Sequence, residues 1–143
     1  MRARLPVLGL LVVFALGCGS AIAPVSGKVT IDGKPAAHVD VTFMPIAPEG
    51  SIEAGVSATG KTNENGEYTL KASNGKPGAQ VGMNKVSIVS VAAHVGEGDT
   101  DQRTPRGGLK PQYRIPAKYN DKSELTFEVK PGQNSADFPL SSK

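Results

Sequence analysis

The sequence predicts an all-β fold, a seven-stranded antiparallel β-sandwich. Apolar and polar residues alternate at period two in several short stretches after residue 20, the mark of half-buried strands. Strong turn pairs separate those stretches: Asp32-Gly33, Asn65-Gly66, Pro77-Gly78 and Pro131-Gly132. After residue 20 Leu, Ala, Glu and Lys form none of the periodic runs that a long amphipathic helix needs, and the chain is rich in Val, Thr, Ser and Gly. A length of 143 residues allows one ordinary domain with tails.

The first segment stands apart. Arg2 and Arg4 precede the uncharged run Leu5 to Leu16, and Gly17, Cys18, Gly19 and Ser20 follow. A dozen apolar residues match the core of a helical signal peptide and are too few to span ~30 Å of hydrocarbon. The box Ala15-Leu16-Gly17-Cys18 resembles the bacterial lipoprotein signal, with Ala and Leu in swapped order relative to the usual pattern. The resemblance implies cleavage between Gly17 and Cys18, a thioether from the Cys18 thiol to diacylglycerol, and a freed amine as a further acylation point. Buried acyl chains contribute about 0.8 kcal/mol per methylene, so several of them hold a small domain at a membrane. The alternatives are an ordinary secretory peptide cleaved near residues 21–23, and a structural cysteine. Cys18 is the only cysteine, so the chain has neither a disulfide framework nor a Cys-based metal site.

The expected organisation is therefore a signal peptide over 1–17, a lipid-anchored tether over 18–24 and a β-sandwich over 25–143. Val25, Gly27, Val29 and Ile31 alternate with polar residues in a first strand, which turns at Asp32-Gly33. Val39, Val41 and Phe43 share one face of the next, and Asp40, Thr42 and Met44 the other. A Pro/Gly-broken loop spans 45–55. Residues 57–62 read as an edge strand, and Tyr68 and Leu70 share a face beyond Asn65-Gly66. The longest strand runs over about 80–92, with Val89 and Val91 placed for burial on both faces. Residues 96–112 form a long polar, glycine-rich loop. Leu125, Phe127 and Val129, then Ala136, Phe138 and Leu140, finish the pattern. The predicted core is Val29, Ile31, Val41, Phe43, Tyr68, Leu70, Val86, Ile88, Leu125, Phe127 and Val129. Each such side chain is worth about 1.5–3 kcal/mol when fully buried.

The segments SGKVTIDGKPAAHVDVTFMP, TNENGEYTL and KPGAQVGMNKVSIV resemble the carboxypeptidase regulatory-like domain. That resemblance implies a Greek-key sandwich of the transthyretin (prealbumin) type. Its opening motif falls on Gly27 to Pro35, its hairpin on Asn63 to Tyr68 and its later strand on Pro77 to Ile88, where Met83 and Asn84 replace the usual aromatic. The closing stretch from Ile115 to Leu140 resembles small secreted lipoproteins of planctomycete-like bacteria. These are turn and core motifs, so they speak to fold more than to function.

Arg2 and Arg4 leave with the signal, so 14 basic residues remain against 13 acidic ones, about +1. A near-neutral chain carries no electrostatic footprint for nucleic acid. No catalytic constellation is legible. His38 and His94 lie apart and lack acidic or cysteine partners at ligand spacing. With Arg114 they are the residues a small transthyretin-like hydrolase would use, but the C-terminal Tyr-Arg-Gly-Ser of such hydrolases is absent. Glu97, Asp99 and Asp101, with Arg103 and Arg106 nearby, make the 96–112 loop the candidate binding segment. Their spacing reads as a solvated charged loop rather than a calcium site. Lys28 and Asn134 are formally available for the isopeptide bond of collagen-adhesin B-type domains, though Lys28 falls on the polar phase of its strand. Tyr113, Tyr119 and Phe138 are placed for core or rim packing rather than as a sugar-stacking platform.

The expectation is a non-catalytic cell-envelope lipoprotein with no cofactor and no metal. It would be held in the membrane through diacylglycerol on Cys18 and present a β-sandwich to a protein or glycan. Gly19 after the cysteine favours the periplasmic face of the outer membrane. A soluble secreted binding module and a small periplasmic hydrolase are the alternatives.

Overall fold

The computed structural model describes residues 21–47, 49, 55–90 and 113–143. The expected signal segment with Gly17 and Cys18, and the residues 91–112 that include Val91, His94 and the expected 96–112 loop, lie outside these residues. Twelve strand segments occur among the described residues: β1 (Ile22–Ala23), β2 (Val25–Ile31), β3 (Lys34–Pro35), β4 (Val39–Pro45), β5 (Ala58–Lys61), β6 (Glu67–Thr69), β7 (Lys71–Ala72), β8 (Ala79–Gln80), β9 (Gly82–Ser90), β10 (Thr126–Val129), β11 (Asn134–Ser135) and β12 (Phe138–Leu140). A 3-10 turn covers Ala117–Tyr119. The fold is all-β, as expected, with two principal sheets sharing one core.

The larger sheet has the order β10-β9-β4-β5-β7, with every neighbour antiparallel. Val39, Val41 and Phe43 are fully buried on its inner face, and Met44 on the other phase is exposed. Two expectations change here. The strand at 58–61 is not an edge, because β7 pairs along its outer side. Val89 is 46% exposed rather than buried, because it lies on the outer phase of β9 and the smaller sheet covers only the inner one.

The smaller sheet is built around β2. Ser26 pairs with Thr69 of β6 and also with Ser135 of β11, while Thr30 pairs with Pro35 of β3 and also with Pro139 of β12. So β6 and β3 share one edge of β2, and β11 and β12 share the other. The β11 and β12 pairings are parallel, which corrects the wholly antiparallel expectation. A parallel neighbour must arrive by a long crossover, and here nearly the whole chain supplies it.

The segments outnumber the expected strands because the chain changes sheets. Leu70 donates its N–H to Val25 in the smaller sheet, and the next residues, β7, pair with β5 in the larger one. A separate ribbon joins β1 to β8. The Asp32-Gly33 turn takes positive φ at both residues, 50° and 80°, as this hairpin type requires. At Asn65-Gly66 only Gly66 does so.

Eight of the eleven predicted core residues are buried; Ile31, Leu125 and Phe127 are partly buried and pack against the core. Phe43, Phe127 and Phe138 meet edge to face, with centroids 5.8, 6.2 and 6.5 Å apart. Aromatic pairs in this geometry add about 0.5–1.5 kcal/mol beyond area burial. Three of the chain's four phenylalanines thus meet in one cluster of the core.

Candidate binding surface

Along β2 the parallel ladder pauses between β11 and β12, and side chains take over. Asp137 Oδ1 accepts the Lys28 N–H at 2.8 Å. The Ala136 carbonyl accepts the Tyr68 hydroxyl at 2.6 Å. Gly27 makes room for this: a Cβ there would stand 1.9 Å from the Ala136 oxygen. Tyr68 is 4% exposed, and burial, then the Asp137 charge, push its phenol far above the ordinary value of 10.0.

On the outer side of this junction lies an open groove of about 680 Å³, lined by Ser26, Lys28, Lys61, Asn63, Glu67, Thr69 and Asp137 together with Gly27 and Tyr68. Strand register sets its polar wall, since Lys28 pairs with Glu67 and Ser26 with Thr69. Asn63 fixes one rim. Its Oδ1 accepts from the Asn65 and Glu67 N–H groups at 2.9 and 3.0 Å, and its Nδ2 donates to Glu67 Oε2 at 3.1 Å. The groove offers two ammonium groups, two carboxylates, hydroxyls and an amide to a polar ligand. None of its lining residues is histidine or cysteine.

The two ends of the molecule differ. At one end the same loop is built twice. Asn84 Nδ2 donates to the carbonyls of Gln80 and Gly82, and Asn134 Nδ2 donates to those of Lys130 and Gly132. Asn134 also reaches Pro24, and Ala21 accepts the Val81 N–H, so both loops hold the N-terminal segment. At the other end, β9 stops at Ser90 and the described chain resumes at Tyr113, whose N–H donates to Ser90 Oγ at 3.1 Å. Nine residues of β9 separate the ends, ~27 Å at the usual strand rise.

No family model, curated protein or solved structure matches this chain.

Of the residues singled out from the sequence, Gly17, Cys18, His94, Glu97, Asp99, Asp101, Arg103 and Arg106 lie outside the described residues. His38 is exposed, with φ 55°, in the turn before β4, and Arg114 is exposed beside Tyr113. The Ala37 N–H donates to Tyr113 Oη, so His38 and Arg114 share the end from which 91–112 departs. Lys28 is exposed, whereas Asn134 is buried with its amide committed to three carbonyls, so the isopeptide pair is not brought together. Phe138 is core. Tyr113 and Tyr119 are half-buried and pack against it, which is not a stacking platform. No group of three metal-binding side chains occurs among the described residues.

The groove was missed in the sequence because its residues come from β2, β5, β6 and the β11–β12 break. Only the polar phase of Lys28 was visible. The repeated pattern Gly-Met-Asn and Gly-Gln-Asn was a readable signal for the two asparagine-closed loops.

Proposed function

We propose that this protein is a cell-envelope lipoprotein, lipidated on Cys18, that presents a Greek-key β-sandwich of the carboxypeptidase regulatory-like type to a protein or glycan partner. The observation that carries the reading is the position of Cys18. It ends a short apolar run behind two arginines, and β1 begins four residues later. Structure therefore starts almost at the anchor, leaving little free tether. The finer fold reading rests on the turn motifs, with Gly27 and Tyr68 filling structural roles where the family pattern has its opening strand and its hairpin.

Two features suit a partner. The Lys28–Glu67 groove is open and polar. β9 ends at Ser90, opposite the end that holds the N-terminal segment, so an anchored body would turn that end of β9 away from the lipid. No helix among the described residues is long and apolar enough to cross a membrane. In this reading the protein is attached by acylation of Cys18.

The test is labelled palmitate incorporation with membrane fractionation for wild type and Cys18→Ser in a bacterial host. Label and membrane association lost together in the variant support the reading. Equal solubility and no label in either protein overturn it. Deleting Glu97 to Lys110 then asks about the loop: capture of the partner should fail while the far-UV spectrum is unchanged.

A further inference from the structure

Among the described residues four large apolar side chains are exposed: Met44 (39%), Ile46 (47%), Met83 (46%) and Val89 (46%). Three of them form one surface. Met44 pairs with Lys85, two residues from Met83 on the same phase of β9, and the Ile46 N–H donates to the Met83 carbonyl at 2.8 Å. Beside them Pro45, Ile46, Val81 and Met83 line a shallow groove of about 380 Å³. Scattered apolar side chains are ordinary on a protein surface; a contiguous group calls for a partner.

The chain itself says where this surface lies. The Ala21 carbonyl accepts the Val81 N–H at 2.8 Å, and Ile22 pairs with Gln80, so the first described residue sits against the groove. Cys18 is three residues earlier. Fully extended, three residues reach at most ~11 Å. Acyl chains on Cys18 must lie within the bilayer, so the lipid surface lies within that reach of Ala21, which borders the groove through Val81.

We propose that the Met44–Ile46–Met83 surface is the seat on which the folded body rests against the bilayer. This rests on the lipoprotein reading above. The acyl chains fix one point of the body, and an apolar contact from the body beside that point adds to the hold. The contact is apolar in character: Lys85 faces Met44 and Glu128 faces Met83 across the strands, so the two charges offset each other. Added salt therefore leaves the seat in place. With this end down, β9 runs away from the membrane toward Ser90.

The test uses the full chain, made in a bacterial host with labelled palmitate and reconstituted in phosphatidylethanolamine–phosphatidylglycerol vesicles. Met83→Cys and, on a distant exposed turn, Glu64→Cys each receive a fluorophore; Cys18, once a thioether, does not react. The seat predicts that the Met83 label loses quenching by aqueous iodide and gains quenching by brominated lipid, while the Glu64 label does neither. Equal aqueous quenching at both positions in palmitate-labelled protein overturns the seat and leaves the lipoprotein reading standing. Absence of palmitate overturns both. A Met83 label shielded in lipid-free Cys18→Ser protein that sediments as a dimer overturns the seat in favour of self-association.

Discussion

The Tyr68 hydroxyl hydrogen-bonds the Ala136 carbonyl at 2.6 Å, joining the hairpin after Asn65-Gly66 to the break between β11 and β12. Tyr68→Phe keeps the ring and strands the carbonyl. An unsatisfied buried acceptor costs about 1–3 kcal/mol, so the urea midpoint of Tyr68→Phe should fall accordingly with an unchanged slope.

The same phenol predicts alkaline behaviour. Its folded pKa is raised by burial and by Asp137, so the native state keeps a proton that the unfolded state releases above about 10. Stability from this group is complete below that value and declines as pH rises beyond it, by up to ~1.4 kcal/mol per unit. Wild type should lose stability over this range more steeply than Tyr68→Phe, as read by urea unfolding at a series of alkaline pH values.

Gly27 and Gly33 separate two reasons for glycine. Gly27→Ala drives a methyl into the Ala136 carbonyl at 1.9 Å and should cost about 3 kcal/mol, with loss of soluble protein as the alternative readout. Gly33→Ala meets nothing within 4 Å but must hold φ +80°, a strain of about 1 kcal/mol. Thermal unfolding of both variants should rank them in that order.

The asparagine-closed loops give an unequal pair. Asn134 donates to three carbonyls and accepts the Lys130 N–H, whereas Asn84 donates to two and its buried Oδ1 has no partner. Replacing Asn84 by alanine therefore removes an unpaired acceptor along with two bonds. Asn134→Ala should cost about 3 kcal/mol and Asn84→Ala about 1–2, measured by urea unfolding.

Asp32 predicts acid behaviour at the C-terminus. Its carboxylate accepts the Ser142 N–H at 3.1 Å, and its pKa is lowered below 3.8 chiefly by hydrogen bonds from Ser142. The contact should persist above that value and open as pH falls through the lowered one. A titrating Ser142 amide shift that disappears in Asp32→Asn would show it; no titration in wild type would refute it.

Much of this fold was legible because period-two burial and turn chemistry are local. Val39, Val41 and Phe43 point inward for the reason their spacing announces, and Asp32-Gly33 turns because both residues accept positive φ. What was hidden is non-local. Nothing near Phe138 announces that it will lie parallel to Val29, and nothing near Leu70 announces a change of sheet. Val89 was misjudged because alternation reports which residues share a face, not whether another layer covers it. The groove was hidden for the same reason, since Lys61 and Asp137 become neighbours of Lys28 only through tertiary pairing.

The parallel closure of β2 also sets a timetable. Lys28 and its partner Asp137 are 109 residues apart, so one edge of the smaller sheet stays open until almost the whole chain has been made. At about 5–20 residues per second of synthesis, that wait is seconds long. Pairings of such long separation are slow to nucleate, because loop closure costs entropy before any contact repays it. Synthesis therefore runs ahead of assembly. On the lipoprotein reading proposed above, a chain that meets the translocation channel during synthesis would still have that edge of its smaller sheet open, and would close it on the far side.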